Sequence, residues 1–375
     1  MEAAKHEALR GPSGKSGFDA TSLTAETVFP ILELKRWKGR VLTAALAGLL
    51  VGVMVIAVRV GAADIPLADL LKALGLPAAP STPESALNQT IILKLRVPRV
   101  LMAALVGASL AVAGATFQAL FRNPMADPYV IGVSSGASLG ATVAMLLALN
   151  FQFLGVGAVP VLAFVGALGT VLIVYHLGRV GDSVSLLTLL LAGIAVGSFL
   201  SAIVSLLVYF ADQRLHQVIF WLMGGFDGAS WSYVRLAFPY FILGIAVIVL
   251  HARELNALLL GEEVAGHLGV EVERAKRWLL AGATLLTATA VSTSGVIGFV
   301  GLIVPHALRM LGGPDHRFLL PASAIAGAAL MVAADTLART VIAPTELPVG
   351  LITALSGGPF FIYILRNRKK IRFFS

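Results

Sequence analysis

The sequence predicts an all-α protein that crosses a membrane about ten times, and composition and patterning together lead to this fold class. The 375 residues are 58% hydrophobic and only 13% charged, and their mean hydropathy is +0.89. In a soluble domain about a quarter of the residues are charged. Apolar stretches recur along the chain, with charges, Pro or Gly between them. Lipid is therefore the expected solvent.

Ten stretches are the candidate transmembrane helices, because a helix needs about 20 apolar residues to cross roughly 30 Å of hydrocarbon. The first five occupy residues 41–60, 100–121, 130–149, 159–177 and 186–210. The other five occupy residues 234–250, 278–296, 298–311, 319–337 and 349–365. The stretch 298–311 is short and follows a Ser- and Gly-rich break, so a re-entrant pair is the alternative to a helix there.

The segments outside these stretches predict the organisation of the chain. Residues 1–40 are polar, lack the apolar core of a secretory signal and are expected to form a cytoplasmic tail. One transmembrane domain follows over residues 41–366, and a basic cytoplasmic C-terminus over residues 367–375. Residues 252–277 mix acidic and basic side chains, which predicts short amphipathic helices on the cytoplasmic side. Residues 218–226 predict a helix in the membrane interface.

The distribution of Lys and Arg indicates that both ends of the ten-helix chain lie in the cytoplasm. Without three cations of the distal tail, 17 Lys and Arg fall inside and eight fall outside. Membrane proteins retain positive charge on the cytoplasmic side, which supports this orientation. The outside cations run against the rule and suggest a surface that docks an acidic partner: Arg59, Lys72, Lys94, Arg96, Arg99, Arg214, Arg235 and Arg339.

Several functional classes are excluded or disfavoured by residue types and their spacing. The chain has no cysteine, which excludes disulfides and thiolate chemistry. Gly14-Lys15-Ser16 lacks the earlier glycine of a phosphate-binding loop, so any coupling to ATP must come from another subunit. No metal, cofactor or catalytic residue is expected, because the His spacings are wrong for zinc and no Ser has a paired base nearby. Nucleic acid is not an expected partner, because the basic clusters lack interleaved aromatics.

Two polar patterns occur within the predicted helices. Asp335 and Arg339 stand four residues apart, so their side chains share one helix face and can pair. Ser198, Ser201 and Ser205 form a hydroxyl stripe that either bonds neighbouring helices or lines a wet pathway. The spans hold almost no other ionisable groups, which argues against a proton- or ion-driven carrier.

One segment, from Arg96 to Gly140, reads RVPRVLMAALVGASLAVAGATFQALFRNPMADPYVIGVSSGASLG. It resembles the FecCD family of ABC-importer permeases. The resemblance continues through LLLAGIAVG, FWLMGGFDGASW, GEEVAGHLGV, GFVGLIVPHALRMLGGPDHRFLLPASAIAGA and ADTLARTVIAPTELPVGLITALSGGPFF. It covers approximately residues 41–366. It implies the ten-helix permease fold of that family, working as a homodimer in the cell membrane. The implied partners are two P-loop ATPase subunits and an extracytoplasmic substrate-binding protein.

The resemblance also implies roles for particular residues. Docking of the binding protein would fall to Arg96, Arg99 and Arg339, which are among the outside cations. The cytoplasmic gate would be formed by Asn123, Met125, Ser185 and Leu186. Coupling to the ATPase subunits would fall to Glu262, Glu263, Ala265, Gly266, His267, Leu268 and Gly269.

The function implied by the resemblance is import of a metal chelate by alternating access, with no chemistry on the substrate. A ferric siderophore is the leading substrate, and haem and cobalamin (vitamin B12) are the alternatives. An ATP-independent secondary carrier is the rival class, and an intramembrane hydrolase is a third. The spans hold no carboxylate relay for a carrier and no nucleophile–base pair for a hydrolase.

Overall fold

The computed structural model describes residues 25–61, 65–73, 75, 83–181 and 183–366. Residues 1–24 of the predicted tail and the predicted C-terminus at 367–375 lie outside this description. The chain divides into two units, Met1–Val41 and Leu42–Ser375. In the first unit the described part is helical from Ala25 onward, so residues 25–40, predicted as tail, are helical. The second unit holds the elements after residue 41 that are described below.

In its described residues, the first half of the chain contains seven α-helices, one short π-helical segment and two small hairpins. Helix α1 covers Ala25–Arg59, α2 Leu67–Ala73 and α3 Pro83–Ile91. A π-helical segment, Ile92–Arg96, joins α3 directly to α4, Val97–Leu120. Then follow α5 (Val133–Leu146), β1 (Gln152–Phe153), β2 (Val156–Gly157) and α6 (Ala158–Gly178). The second hairpin, β3 (Arg179–Val180) and β4 (Ser183–Val184), leads into α7 (Leu186–Tyr209).

In its described residues, the second half of the chain contains helices and no strand. A 3₁₀ turn at Asp212–Arg214 precedes α8 (Leu215–Met223) and α9 (Trp231–Leu250). Two short helices follow, α10 (Ala252–Leu258) and α11 (Glu262–His267). The remaining helices are α12 (Val272–Ser294), α13 (Val300–Gly312), α14 (His316–Thr340) and α15 (Val349–Arg366).

Each of the ten predicted stretches coincides with a helix. Among the described residues, six helical segments are long and apolar enough to span: Trp37–Arg59, Glu84–Leu120, Ala158–Gly178, Leu186–Tyr209, Trp231–Leu250 and His316–Thr340. Three shorter apolar helices lie in α5, α13 and α15, and α12 is the tenth. The structure therefore confirms the all-α polytopic fold. Residues 295–299 are not helical, so α12 and α13 are separate helices.

The short predicted helices also appear. The interfacial helix predicted at 218–226 is α8, which begins and ends three residues earlier. The segment 252–277, predicted to be cytoplasmic, contains α10 and α11, and its last six residues form the first turns of α12.

Helix α4 is the centre of the packed core. Most of its residues are buried, and it packs against α12, α13 and α14. A Cβ atom on Gly107 would overlap the carbonyl oxygen of Gly327 in α14, and one on Gly114 would overlap that of Gly301 in α13. Such backbone contact drives helix association in lipid, where burial of apolar surface contributes little. The glycines therefore decide how closely α13 and α14 approach α4.

A second close contact joins α8, α12 and α15. Gly224 after α8 and Gly295 after α12 have φ of 71° and 68°, which favour glycine. The N–H of Gly225 donates to the carbonyl oxygen of Ser294 at 2.8 Å, and the N–H of Gly350 donates to that of Gly224 at 3.4 Å. These bonds connect the ends of α8 and α12 to the beginning of α15.

Replacing Gly107 with Val tests the α4 contact. The added side chain would collide with the α14 backbone, and overpacking typically costs about 1–3 kcal/mol. We expect the variant to lose several degrees of thermal stability in detergent, measured by loss of monodisperse protein on heating. The matched control is Gly169→Val, since a Cβ there meets nothing within 4 Å. Equal stability of the two variants would contradict the packing described.

Candidate functional site

At the end of the molecule that the predicted orientation places outside, four charged residues form a network. The Asp335 carboxylate pairs with Arg99 at 2.8 Å and with Arg339 at 3.1 Å, which confirms the pairing predicted for Asp335 and Arg339. Arg99 also pairs with Glu346 at 2.8 Å. A buried carboxylate is costly unless it is paired and hydrogen-bonded. The network therefore connects α4 to α14 and leaves the buried Asp335 carboxylate paired.

Two of the arginines predicted to dock the binding protein are bound to the end of α1. Arg96 donates from Nη1 to the carbonyl oxygen of Val58 at 2.8 Å, and Arg339 donates from Nη2 to that of Ala57 at 3.1 Å. The last carbonyls of a helix lack intrahelical partners, so these arginines cap α1. Arg96 and Arg339 are each 6% exposed. The structure thus shows their contacts within the chain, and their role in docking stays a prediction.

A cavity of about 620 Å³ lies beside this network. Its lining combines charged, aromatic and hydroxyl-bearing residues, and includes Arg99, Glu346, Trp221, Tyr233, Asp227 and residues 292–294. The cavity adjoins the glycine-rich contact of α8, α12 and α15. In the part of the chain that the structure describes, no three His, Asp or Glu side chains are grouped to hold a metal ion.

The four predicted gate residues occupy two turns at helix ends. Asn123 follows α4, and its Oδ1 accepts a hydrogen bond from the N–H of Met125 at 3.0 Å. Ser185 is the N-cap of α7, and its Oγ accepts from the N–H of Thr188 at 3.3 Å. Leu186 is the first residue of that helix. The side chains of Asn123 and Ser185 thus each accept a hydrogen bond that stabilises their turn. The gate role of the four residues stays a prediction.

The predicted coupling residues form α11 and the turn after it. Ala265 is fully buried, which fixes one side of α11 against the protein. Leu260, Val264 and Leu268 follow at intervals of four residues and are all exposed. Val264 lies in α11 and Leu268 is its C-cap, so these two share one side of the helix, whereas Leu260 precedes α11. The segment therefore presents exposed apolar side chains at the end that the predicted orientation places in the cytoplasm.

Lys276 was not among the predicted site residues, although it lies close to α11. Its side chain is 2% exposed and pairs with Glu262 at 3.0 Å and with Glu273 at 2.6 Å. Its Nζ also donates to the carbonyl oxygen of Val184 at 2.8 Å. The spacing of Glu273 and Lys276 was the available sequence signal, because residues three apart on a helix are neighbours.

Helix α10 is anchored to the beginning of α14. Asn256 donates to Asp315 at 2.8 Å and accepts a hydrogen bond from the N–H of His316 at 2.9 Å. Burial acts to raise the pKa of Asp315, but hydrogen bonds from the N–H of Arg317 and from Asn256 hold that pKa below its usual value. Asp315 therefore caps α14 as a carboxylate and fixes one end of the cytoplasmic segment.

The hydroxyl stripe of α7 lies on the surface of the single chain. Ser198, Ser201 and Ser205 are exposed. The hydroxyl of Ser201 is 3.1 Å from that of Ser135 in α5, and Ser205 donates to the carbonyl oxygen of Ser201 at 3.0 Å. Ser201 thus bonds a neighbouring helix, and the role of the stripe in lining a pathway stays a prediction.

Comparison with known proteins places the chain among transport permeases. It is 48% identical over 313 residues to the cobalamin import system permease protein BtuC of Halobacterium salinarum, covering 84% of this chain and 83% of the relative. It is also 48% identical over 294 residues to the hemin transport system permease protein HmuU of Yersinia pestis, covering 75% and 84%.

A solved structure agrees with these relatives. It is described as a metal-chelate type ABC transporter in an inward-facing conformation, and it matches with a TM-score of 0.74 at 34% identity. The match covers 87% of this chain and 98% of the solved chain. Residues 49–367 match the FecCD transport family. The chain therefore belongs to the FecCD transport family and is a multi-pass membrane permease subunit of an ABC importer.

Proposed function

We propose that two copies of this chain form the membrane pathway of a metal-chelate importer that is supplied by a binding protein and driven by two ATPase subunits. The 48% identity over 313 residues to a permease named for cobalamin import carries this proposal. The chain itself performs no chemistry on the substrate. ATP binding and hydrolysis on the ATPase subunits change the relative stability of the inward- and outward-open states of the permease. They can do so because ATP and its products have different affinities for the complex in these two states.

The substrate class follows from the relatives and from the spans. Cobalamin and hemin, named for two relatives, are both metals held in an organic macrocycle. The spans hold few charges to coordinate a bare ion, which suits a chelated metal. Ferric siderophore, haem and cobalamin are the candidate substrates, and the siderophore was the leading expectation from the sequence.

The pathway is proposed to run between the α7 helices of two copies. Only four residues of α7 are buried on the single chain, and Ser198, Ser201 and Ser205 are exposed. A second copy would cover this surface, and the hydroxyls would provide polar but uncharged contacts for a bulky chelate. The cytoplasmic gate is proposed to lie at Asn123, Met125, Ser185 and Leu186, in the two turns described above.

The ATPase subunits are proposed to bind α11 and its following turn. Leu260, Val264 and Leu268 present exposed apolar surface in a segment that is otherwise rich in charge. Exposed apolar surface rimmed by polar residues is typical of protein–protein contact. The predicted residues Glu263, Gly266, His267 and Gly269 are exposed beside it.

The binding protein is proposed to dock at the opposite end, around Arg96, Arg99 and Arg339. Glu346 is 42% exposed and pairs with Arg99, so a partner carboxylate approaching Arg99 would compete with Glu346. Opposite charges across an interface orient the encounter more than they add affinity.

Affinity purification of the tagged chain from its native membrane tests the proposed function. We expect two P-loop ATPase subunits for each pair of permease chains, because this chain lacks a phosphate-binding loop. The molecule carried by a co-purified binding protein would identify the substrate. Repeated isolation of intact chain without an ATPase would contradict the proposal and favour the secondary carrier.

Charged substitutions on the coupling surface test the ATPase contact. Val264→Glu combined with Leu268→Glu would place carboxylates in an apolar interface, and we expect ATPase recovery to fall at least about tenfold, or ~1.4 kcal/mol. The control is Leu154→Glu, an exposed residue of the β1–β2 turn at the predicted outer end. Unchanged ATPase recovery in the double variant would place the contact elsewhere.

Neutral substitutions test the docking arginines. Arg96→Gln with Arg339→Gln removes two charges without reversing charge in a buried site, and we expect the affinity for the binding protein to fall about tenfold. The effect should shrink at high salt, which screens charges.

The matched control for docking is Arg235→Gln, an exposed cation expected on the same side. Thermal unfolding of each variant must accompany the measurement, because Arg96 and Arg339 also cap α1. Equal affinity of the double variant and the unsubstituted chain would refute a docking role for these two arginines.

A further inference from the structure

Lys276 connects three elements at the cytoplasmic end of the protein. Its Nζ donates to Glu262 at 3.0 Å and to the carbonyl oxygen of Val184 at 2.8 Å, and pairs with Glu273 at 2.6 Å. An ammonium group has three protons, and these three contacts can use all of them. Glu262 begins α11, Glu273 lies in α12, and Val184 ends the hairpin that precedes α7.

The backbone at Val184 is held from two directions. Its carbonyl oxygen accepts from Lys276, and its N–H donates to Glu273 at 2.9 Å. The side chain of Val184 is also buried. The next residue, Ser185, caps α7, and Leu186 begins it. A displacement of Val184 therefore shifts the turn that holds two of the predicted gate residues, Ser185 and Leu186.

A nearby ion pair on the same helix shows what is particular about Lys276. Arg274 pairs with Glu271 at 3.3 Å, and both side chains are largely exposed. That pair joins neighbouring positions of one helix, and exposed pairs contribute little to stability. Lys276 is instead buried and joins residues 14 and 92 positions away. Its contacts link separate elements that could otherwise move independently.

We propose that Lys276 is a positioning residue that transmits movement of α11 to the β3–β4 hairpin and thereby to the turn at Ser185 and Leu186. The inference rests on the proposed binding of the ATPase at α11. Movement of α11 displaces Glu262, and Lys276 carries this displacement to the Val184 carbonyl. Hydrogen-bonded links of this kind couple distant sites when both sites bias the same element.

The absence of cysteine allows a label to report on the hairpin alone. Ser183→Cys introduces one thiol on an exposed β4 residue, which is labelled with a polarity-sensitive fluorophore. The permease–ATPase complex is reconstituted in lipid nanodiscs, and the change in fluorescence on adding Mg-ATP is measured. Recovery of the ATPase and its hydrolysis rate are recorded for the same samples.

We expect Lys276→Met to bind and hydrolyse ATP through its ATPase subunits while the fluorescence response falls at least about fivefold, within the usual range of coupling effects. Transport per ATP hydrolysed should fall with it. Lys276→Arg should retain most of the response, because it keeps the charge and donors. Arg317→Met, which removes an exposed cation at the start of α14, should respond as the unsubstituted chain does.

Glu262 and Glu273 are 43% and 36% exposed, so water can solvate them after Lys276→Met and the variant should fold. If it does not yield the complex, Glu273→Ala frees the Val184 N–H and serves in the same measurement. A full fluorescence response in an assembled Lys276→Met or Glu273→Ala complex overturns this inference and leaves the proposed function standing. Failure of the Ser183→Cys protein to bind any ATPase overturns the proposed function and this inference with it.

Discussion

Helix α4 lies in backbone contact with α13 and α14 because glycines stand where the helices cross. In lipid, apolar side chains gain little by leaving their solvent, so association depends on close packing and on polar contacts between helices. Gly107 meets Gly327, and Gly114 meets Gly301. These contacts also set the positions of the helix ends, where the candidate sites lie.

Charged side chains are concentrated at the two ends of the helices because lipid solvates charge poorly. A buried charge must be paired, and pairing is least costly near the membrane surface. At the outer end, Asp335 pairs with both Arg99 and Arg339, and Arg96 and Arg339 cap α1. At the cytoplasmic end, Lys276 holds Glu262, Glu273 and Val184. Both networks connect elements that are far apart in the chain.

This distribution suits an alternating-access permease. The middle of the protein is packed through backbone contacts that a small displacement would break, so rigid helices are the units that move. The ends carry the short helices, hairpins and charge networks that partner proteins can reach. Movement imposed on α11 would then change the turns at the helix ends and leave the packed middle intact.

The sequence alone determined the ten helices and their orientation, because the bilayer sets the length of an apolar span and retains basic loops in the cytoplasm. It also determined the pairing of Asp335 with Arg339, since four residues make one helical turn. It could not show that Arg96 and Arg339 turn inward, because exposure depends on what packs around a residue.

Only the tertiary structure decided which distant residues share a network. Arg99 and Asp335 are 236 positions apart, and Lys276 and Val184 are 92 apart. Local periodicity relates only residues within a few turns of one helix, so it carries no information about such pairs. The packing of α4 on α14 and of α12 on the hairpin brings them together. The helices of this protein are thus readable from local pattern, whereas the charge networks arise from contacts between helices.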